Sequence, residues 1–544
     1  MSTQNIMWTA LPSGLTPKGD KLRLSVLVSP RLVTNAAVGT LAEFPDFLDW
    51  PATVAGLTFK VEFQGGPSFA ASPVTEPGFP ALDSPAWKAL FDASFPVNSY
   101  AFDDRSNLPV RSFPTKKVLS FLTNIYQTVG VKSADQMPNL LDLGFSPFAP
   151  GIVPLNKIAI SSELPVLQRE INDILEKTKA VPANFGTPQT DFLQVRLMHQ
   201  FLSKEVLDSK QHRVPLPPQT LPDVDFHKAV AGLGQYEKLV RALGLVIDLE
   251  VPVTGVPAAS NLRVHPSLAA TAPMIPWTAC TLDAAKGLFV ATPDATSDVS
   301  NGMLFLSGPD QYDIVEMDVD GASEKAMDLA DSLSRFVTGD AKTSIDTPTT
   351  YGLPSLRSAG FSAARVDRAT RLVNVFSGAK SNNTAITANP QNSGVTLHAE
   401  DVTRGYRIDV WSSLDGRWHS LCLRDGTYSF GNGGLTRSYS DEGFTTTATS
   451  QSADGTSTDL RLPESLFRWA GWSLCAPRAG RTIGSDSTPQ DAGNPASTAV
   501  KLETSFTVQK GSLPRLRFGA TYQFRARAVD LACNSFAPDA VKMD

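Results

Sequence analysis

Alternation of apolar and polar residues with a period of two marks several strands along this chain. The clearest examples are residues 21–31, 57–63 and 245–252, where apolar side chains recur at every second position. Such alternation is what a half-buried antiparallel strand requires. We predict that the first two segments share one sheet, that Pro30 ends the first strand, and that Pro252 marks the end or an edge of the third.

A helical spacing of apolar residues replaces this alternation in the middle of the chain. A strand predicted over residues 311–320 and the helix that follows it form a strand–helix unit. The polar run at residues 377–384 predicts a boundary between domains. Helices are predicted over residues 116–130, 162–180, 190–207, 225–242, 322–337 and 355–376.

The alternation returns after residue 395. Residues 405–411 and 417–423 flank the turn Leu414-Asp415-Gly416, which predicts a β-hairpin. Near the end of the chain, one more strand is predicted to have an apolar face and a polar face that point in opposite directions. The apolar face carries Tyr522, Phe524, Ala526 and Ala528, and the polar face carries Gln523, Arg525 and Arg527.

Together these patterns predict an α+β, multidomain chain. Its 544 residues are enough for roughly three to four domains. The predicted order is a β-rich N-terminal domain (1–135), a helical region (136–245), an α/β region (246–376), a linker (377–400) and an immunoglobulin-like β-sandwich region (401–544) whose last domain is incomplete.

The C-terminal strand resembles the penultimate strand of fibronectin type III and related immunoglobulin-like domains. The matching positions are Leu516, Gly519, Tyr522, Phe524, Ala528 and Asp530. Cys533 stands where glycine is common in that family. The resemblance implies one further strand, yet only residues 536–544 follow. We therefore expect a fragment of a longer protein, the alternative being a strand supplied by another part of this chain or by a partner.

Charge and the pattern at the N-terminus narrow the classes of partner. The net charge of -6 is spread without long runs, so we expect no nucleic-acid partner. We expect no membrane insertion, because no stretch of about 18 apolar residues occurs. No basic start followed by an apolar run is present, which predicts cytoplasmic synthesis without a signal peptide. Release as part of an assembly is left open.

Cysteine usage agrees with that compartment. The four cysteines are far apart in sequence, so we expect free thiols in a reducing cytosol. The alternative is a bridge, either Cys422–Cys475 or Cys475–Cys533. The four residues are Cys280, Cys422, Cys475 and Cys533.

Catalytic motifs are missing from the sequence. HExxH, GxSxG, the phosphate-binding loop and a strand-linked GxGxxG do not occur, so we predict no catalytic residues and no cofactor. The best chemical candidate is Asp318-Val319-Asp320, whose two carboxylates project from one strand face and could hold a divalent cation. Acidic residues before a helix are also ordinary partners of the helix dipole, which is the interpretation we favour.

Four tryptophans give the C-terminal region its aromatic density. Exposed tryptophans could stack on sugar rings, so a carbohydrate-binding module is one interpretation. The favoured alternative is packing between two sheets, for which Trp472 is the best candidate. The four are Trp411, Trp418, Trp469 and Trp472.

Several phrases of the sequence resemble very large uncharacterised bacterial proteins, some of which are associated with phage-tail-like contractile injection clusters. These phrases are residues 21–32, 44–51, 243–251, 318–321 and 405–411. The resemblance implies no catalytic residues, and it implies a chain that continues past Asp544.

These observations predict a structural or interaction component of a large multiprotein assembly, with protein partners. One alternative is a hydrolase or metal-dependent enzyme, with its site near Asp318 and Asp320 or beyond the C-terminus. The other is the carbohydrate-binding module.

Overall fold

The structure is a computed structural model in which β-strands predominate and form several antiparallel sheets. This agrees with the predicted β-rich character of the chain. The structure describes residues 2–76, 78–112, 205–207, 213–215, 223–268, 273–295, 297–306, 312–316, 360–431, 433–449, 458–483, 489–491 and 500–539.

The strands are numbered in chain order. The first half contains β1 (Thr3–Leu15), β2 (Lys21–Val33), β3 (Val38–Thr40), β4 (Phe59–Phe63), β5 (Ser68–Ala71), β6 (Pro96–Asn98), β7 (Val110–Arg111), β8 (Glu205–Leu207), β9 (Arg213–Pro215), β10 (Val246–Pro252), β11 (Ala259–Pro266), β12 (Trp277–Asp283) and β13 (Leu288–Ala291). The second half contains β14 (Val299–Ser300), β15 (Met303–Leu304), β16 (Asp313–Val315), β17 (Phe361–Ala364), β18 (Thr396–Leu397), β19 (Thr403–Ser412), β20 (Arg417–Ser420), β21 (Leu423–Phe430), β22 (Leu435–Glu442), β23 (Thr445–Thr446), β24 (Leu460–Arg461), β25 (Ser465–Trp469), β26 (Arg481–Ile483), β27 (Pro489–Asp491), β28 (Leu502–Val508) and β29 (Tyr522–Asp530).

Within the described residues, the helices are fewer than the strands and mostly short. They are α1 (Trp50–Ala55), α2 (Ser84–Leu90), α3 (Phe226–Leu233), α4 (Glu237–Ala242), α5 (Arg368–Ala388) and α6 (Ala399–Val402), with 3-10 turns at Leu41–Glu43 and Pro45–Asp49. The single helix predicted over residues 225–242 is therefore two helices, α3 and α4, separated by residues 234–236.

The first sheet has the order β1-β2-β10, with both pairs antiparallel. The prediction that Pro30 ends β2 is wrong, since the strand continues to Val33. The Val28 N–H donates to the Leu245 carbonyl, just before β10 begins. The backbone nitrogen of Pro30 points toward the same edge of β2, and β10 does not extend that far. A proline without an N–H fits there because no ladder bond is lost.

The second sheet has the order β13-β12-β11-β4-β5, with β18 added to β12. The prediction that the segments now seen as β2 and β4 share a sheet is wrong, because β4 pairs with β11 instead. The two sheets contribute to one apolar core. Trp8 of β1 lies 5.8 Å from Phe59 of β4, measured between ring centroids.

Strands from both sides of the predicted division at residue 246 belong to the same sheets. β10 completes the sheet of β1 and β2, and β11 pairs with β4. The strands β10 to β13 therefore pack with the first hundred residues. We call the two sheets with their shared core the N-terminal unit.

A β-sandwich follows. One sheet has the order β14-β15-β29-β19-β20, with β23 beside β19, and the other has the order β16-β17-β25. Phe361 and Trp469 are partners in the second sheet and stack at 6.2 Å between ring centroids, and Trp469 meets Tyr522 of the first sheet at 5.4 Å. Because β15 pairs with β29 on the side away from β19, another part of this chain occupies that edge.

Residues 377–384, predicted as part of a linker, lie inside α5, so the prediction of a loop there is wrong. The helix starts at Arg368 rather than at residue 355, and Phe361–Ala364 before it is a strand. Two of its serines are satisfied within the helix, since the Ser377 hydroxyl donates to the Val373 carbonyl and the Ser381 hydroxyl to the Ser377 carbonyl, each four residues earlier.

The remaining predicted elements are only partly within the described residues. The strand predicted over residues 311–320 is seen as β16, and Glu205–Leu207, predicted to end a helix, is the short strand β8. The helices predicted over residues 116–130, 162–180 and 322–337 lie outside the described residues.

Candidate functional site

The densest polar cluster lies on the face of β19 and β29 that points away from the sandwich core. The alternation of the two strands places their charged residues on this face, where Glu237 at the start of α4 and Glu442 at the end of β22 pair with them. We call it the buried ion network: Arg407, Asp409, Arg525, Arg527, Glu237 and Glu442.

Asp409 is at the centre of this network. Arg527 donates to both of its oxygens, at 2.9 and 2.8 Å, and Arg525 donates to it at 2.7 Å. The side chains of Arg527 and Asp409 have no exposed surface. Bidentate arginine–carboxylate pairs of this kind are the stronger, geometrically specific ones.

Glu442 extends the network from β22. Arg527 Nη1 donates to its Oε2 at 3.1 Å, and the Ser420 hydroxyl donates to its Oε1. Burial opposes ionisation of Glu442, but Arg407 and Arg527 overcome it and hold its pKa below the ordinary value. Burial likewise disfavours the charge on Arg527, and its carboxylate partners nevertheless raise its pKa.

Arg407 joins the sandwich to α4 of the N-terminal unit. Its Nη2 donates to Glu237 at 2.5 Å and to the carbonyl of Glu442 at 2.8 Å. The network thus contains three arginines and three carboxylates, and its formal charges cancel. Because the carboxylates face guanidinium groups, the arrangement favours locking two parts of the fold over proton transfer.

A second arginine fastens the turn after β29 to the N-terminal unit. Arg241 Nε donates to Asp248 at 2.9 Å, while its terminal nitrogens donate to Asn534 at 2.7 Å and to the carbonyl of Ala532 at 3.0 Å. The guanidinium group thereby bridges β10 and this turn. Arg241 is 5% exposed, so these bonds form away from water.

The same turn contains a backbone feature that depends on its residue. Cys533 has a φ of 65°, in the left-handed region where a Cβ is unfavourable and glycine is common. Its carbonyl accepts from Arg407 at 3.4 Å, and its thiol donates to Gly234 at 3.3 Å. Cys533 therefore occupies a position suited to glycine, and its thiol adds one contact, to Gly234, that glycine could not make.

Arg525 and Arg527 lie on the strand face opposite Phe524 and Ala526, as predicted, yet both are buried. The alternation itself is present, but other elements cover the second face of the sheet. One signal in the sequence points to this: Arg407-Ile408-Asp409 and Arg525-Ala526-Arg527 repeat charges at the same spacing as their strand pairing.

An exposed feature lies at one end of the sandwich, where two loops run side by side. Ser413 donates its N–H to Thr521 at 3.0 Å, and the Thr521 N–H returns to the Ser413 hydroxyl at 2.9 Å. Leu414 in the first loop is 52% exposed, and Phe518 in the second is fully exposed. We call residues 413–417 and 515–521 the loop end.

The loop end is basic and is held by Tyr522. Arg417, Arg515 and Arg517 are exposed there. The Tyr522 hydroxyl accepts from the Arg517 N–H at 2.7 Å and donates to the Arg515 carbonyl at 2.8 Å. A tyrosine at the start of a strand that bonds to backbone a few residues upstream is the arrangement called a tyrosine corner. It fixes the backbone that presents Phe518.

The tryptophans are distributed differently from the prediction. Trp469, not Trp472, is the fully buried core residue, and Trp472 is half-buried. Arg525 lies 4.3 Å from the ring centroid of Trp418, and Arg478 lies 6.0 Å from that of Trp472. Since arginines already cover these two rings, Trp411, which is half-buried opposite Trp418, is the better candidate for stacking on a sugar.

The two predicted metal-binding carboxylates, Asp318 and Asp320, lie outside the described residues. Within the residues that the structure describes, no cluster of three or more His, Cys, Asp or Glu side chains could hold a metal ion. Among the described helices, none combines the length and apolar character that a membrane span requires.

Comparisons of this chain with protein families, curated proteins and solved structures found no match.

Proposed function

We propose that this chain is a structural or interaction component of a large multiprotein assembly, and that it meets a protein partner through the loop end. An assembly of the phage-tail-like contractile injection kind is the version that the sequence resemblance suggests. The observation that carries the proposal is Phe518, a large apolar side chain that is fully exposed on an anchored backbone.

The composition of the loop end supports this proposal. Aromatic and arginine side chains are enriched among the residues that dominate binding energy in protein interfaces. Phe518 lies between Arg517 and the turn of Gly519, and Leu414 projects from the neighbouring loop. A partner with an acidic rim around an apolar pocket would complement this surface.

The buried ion network supports a structural role. Arg407 and Arg241 bind groups on both the sandwich and the N-terminal unit. A buried, charge-balanced network has strict geometry, because displacing one member leaves another charge unpaired in a medium that solvates it poorly. A fixed relation between the two parts is what a component with defined neighbours in an assembly needs.

The test is a comparison of variants in the source cell. The tagged full-length chain, the F518S/L414S variant and the V38S variant are purified under native conditions, and co-purifying proteins are quantified by mass spectrometry. Val38 is 60% exposed but lies on β3, so V38S is the matched control for loss of an exposed apolar group. We expect a protein recovered in constant ratio with the parent and V38S chains to be lost with F518S/L414S. Equal recovery with all three chains would contradict the proposal.

The enzyme and glycan alternatives stay predictions. D320N should abolish metal binding if Asp318 and Asp320 form a metal site, and isothermal titration with divalent cations would show it. W411A should abolish retention on immobilised glycans if that ring binds sugar. Neither substitution should affect recovery of a protein partner.

A further inference from the structure

Two of the four cysteines are neighbours in the fold, although 53 positions separate them in sequence. Cys422 follows β20 and is fully buried, whereas Cys475 lies after β25 and is half-buried. The preceding residues are joined directly, because the Leu474 N–H donates to the Leu421 carbonyl at 2.9 Å. This bond brings the two cysteines close together.

Gly443 makes this approach possible. Its N–H donates to the Cys422 carbonyl at 2.9 Å, so it lies directly beside the first cysteine. A Cβ added to Gly443 would lie 2.7 Å from the Cβ of Cys475 and 2.9 Å from its sulfur. Only a residue without a side chain leaves room for Cys475 at this place, so the surrounding backbone accommodates the close approach of the two cysteines.

The other two cysteines are in different surroundings and serve as internal references. Burial raises the pKa of Cys280 to about 12 and that of Cys533 to about 11; the pKa of Cys422 is raised as well, by its neighbour Cys475 and by burial. The Cys533 thiol already donates to the Gly234 carbonyl. What distinguishes Cys422 and Cys475 is their proximity in the fold, so we expect oxidation to select this pair.

We propose that Cys422 and Cys475 are a redox-responsive pair that closes to a disulfide by exchange with a small-molecule disulfide such as oxidised glutathione. The more exposed Cys475 thiolate attacks one glutathione sulfur, which forms a mixed disulfide and releases the first glutathione thiolate. The Cys422 thiolate then attacks Cys475 Sγ, which forms the protein disulfide and releases the second. Both thiol protons pass to solvent, and the two electrons reduce one glutathione disulfide to two thiols.

Closure would act on the region beneath the loop end. The segment that contains Cys475 also contains Gly471, where an added Cβ would lie 3.1 Å from Leu516 Cβ. A disulfide would tie this segment to β20 and close a loop that contains the chain from Cys422 to Cys475. Cross-links that close long loops restrict the unfolded chain most, so the oxidised form should resist unfolding better than the reduced form.

The test uses the folded full-length chain. It is incubated with oxidised glutathione, blocked with iodoacetamide under denaturing conditions, digested without reduction and analysed by mass spectrometry. We expect one linked peptide pair that contains Cys422 and Cys475, is lighter by two hydrogen atoms and separates on addition of dithiothreitol. Cys280 and Cys533 should be recovered alkylated.

Three variants decide the outcome. C475S and C422S should each lose the linked peptide pair, and C533S should keep it. Circular dichroism shows whether each variant is folded. One folded variant of C475S and C422S is sufficient for the test. Glutathione that stays on Cys475 without a link, recovery of four alkylated thiols after the incubation, or a link to Cys533 would each overturn the proposal.

Discussion

Arg527 and Asp409 lie on neighbouring strands of the sandwich and are joined by two hydrogen bonds, of 2.9 and 2.8 Å, with no exposed surface on either side chain. Asp409 also accepts a hydrogen bond from Arg525, and Arg527 donates to Glu442. Glu442 pairs with Arg407, which in turn binds Glu237 of the N-terminal unit. The Asp409 carboxylate therefore supports the junction between the sandwich and the N-terminal unit.

Removing the charge of Asp409 should lower the stability of the folded protein. D409N keeps the shape of the side chain but leaves Arg525 and Arg527 without their shared carboxylate. Breaking a buried pair in this way typically costs about 3–5 kcal/mol, so we expect a fall of that size in the free energy of unfolding, measured by urea unfolding.

The control is an ion pair at the surface. Asp103 and Arg105 have exposed side chains, and such pairs contribute at most about 1 kcal/mol. D103N should therefore leave the unfolding midpoint almost unchanged. Equal effects of D103N and D409N would show that the buried ion network does not stabilise the junction.

At position 533 we expect a glycine variant to be more stable than an alanine variant, which is the reverse of the usual order. At most positions, glycine is less stable than alanine by about 0.5–1 kcal/mol. At a φ of 65° a Cβ costs about 1–2 kcal/mol, so C533G should be more stable than C533A. Differential scanning calorimetry of the two variants measures this order. A higher melting temperature for C533A would contradict the backbone argument.

Tyr522 should stabilise the loop end through its hydroxyl. Y522F keeps the ring in the core but removes the bonds to Arg515 and Arg517. We expect a loss of about 1 kcal/mol in stability and faster hydrogen exchange at the Arg517 amide. Exchange in β29, which pairs with β19 along its length, should not change. Unchanged exchange at Arg517 would count against the anchoring role.

Asp530 should make stability depend on pH. Burial raises its pKa from 3.8 to about 6, against hydrogen bonds from Asn534. Since the unfolded chain has the lower pKa, only the folded protein is protonated between these values, and this group stabilises the fold as the pH falls from 7 to 5. D530N should lack that gain. The melting temperatures of the parent chain and of D530N are measured at pH 7 and at pH 5. If the difference between the two proteins is the same at both pH values, the proposed effect of Asp530 is contradicted.

Local patterns in the sequence were enough to predict part of the fold. The hairpin around Leu414 is confirmed as β19 and β20, and the strand at 245–252 is confirmed as β10. Both depend on side-chain period and turn residues, which act over a few positions. The β-rich character of the chain follows from the same signals.

Pairing over long distances was not predictable in this way. β2 and β4 have the same alternation, yet β2 pairs with β1 and β10, while β4 pairs with β5 and β11. Apolar period alone cannot choose among such partners. The buried ion network was missed for a related reason, since a polar strand face predicts solvent unless the covering element is known. Trp469 and Trp472 were equally apolar in sequence, and only the sheet positions distinguish them.

The loop end required the three-dimensional arrangement. Leu414 and Phe518 are more than a hundred positions apart in sequence, and only the bonds between Ser413 and Thr521 bring their loops together. A single exposed apolar residue carries little information. Two of them on adjacent anchored loops, flanked by exposed arginines, are the basis of the proposed interface.

Cross-linking mass spectrometry of the natively purified chain tests the central proposal most directly. Lys510 is exposed and lies five residues before Arg515 in sequence, whereas Lys18 is exposed on the N-terminal unit and serves as the comparison site. With a lysine-reactive cross-linker, we predict links from Lys510 to peptides of another protein, absent from the F518S/L414S variant. A chain that purifies alone and yields only links within itself would contradict the account.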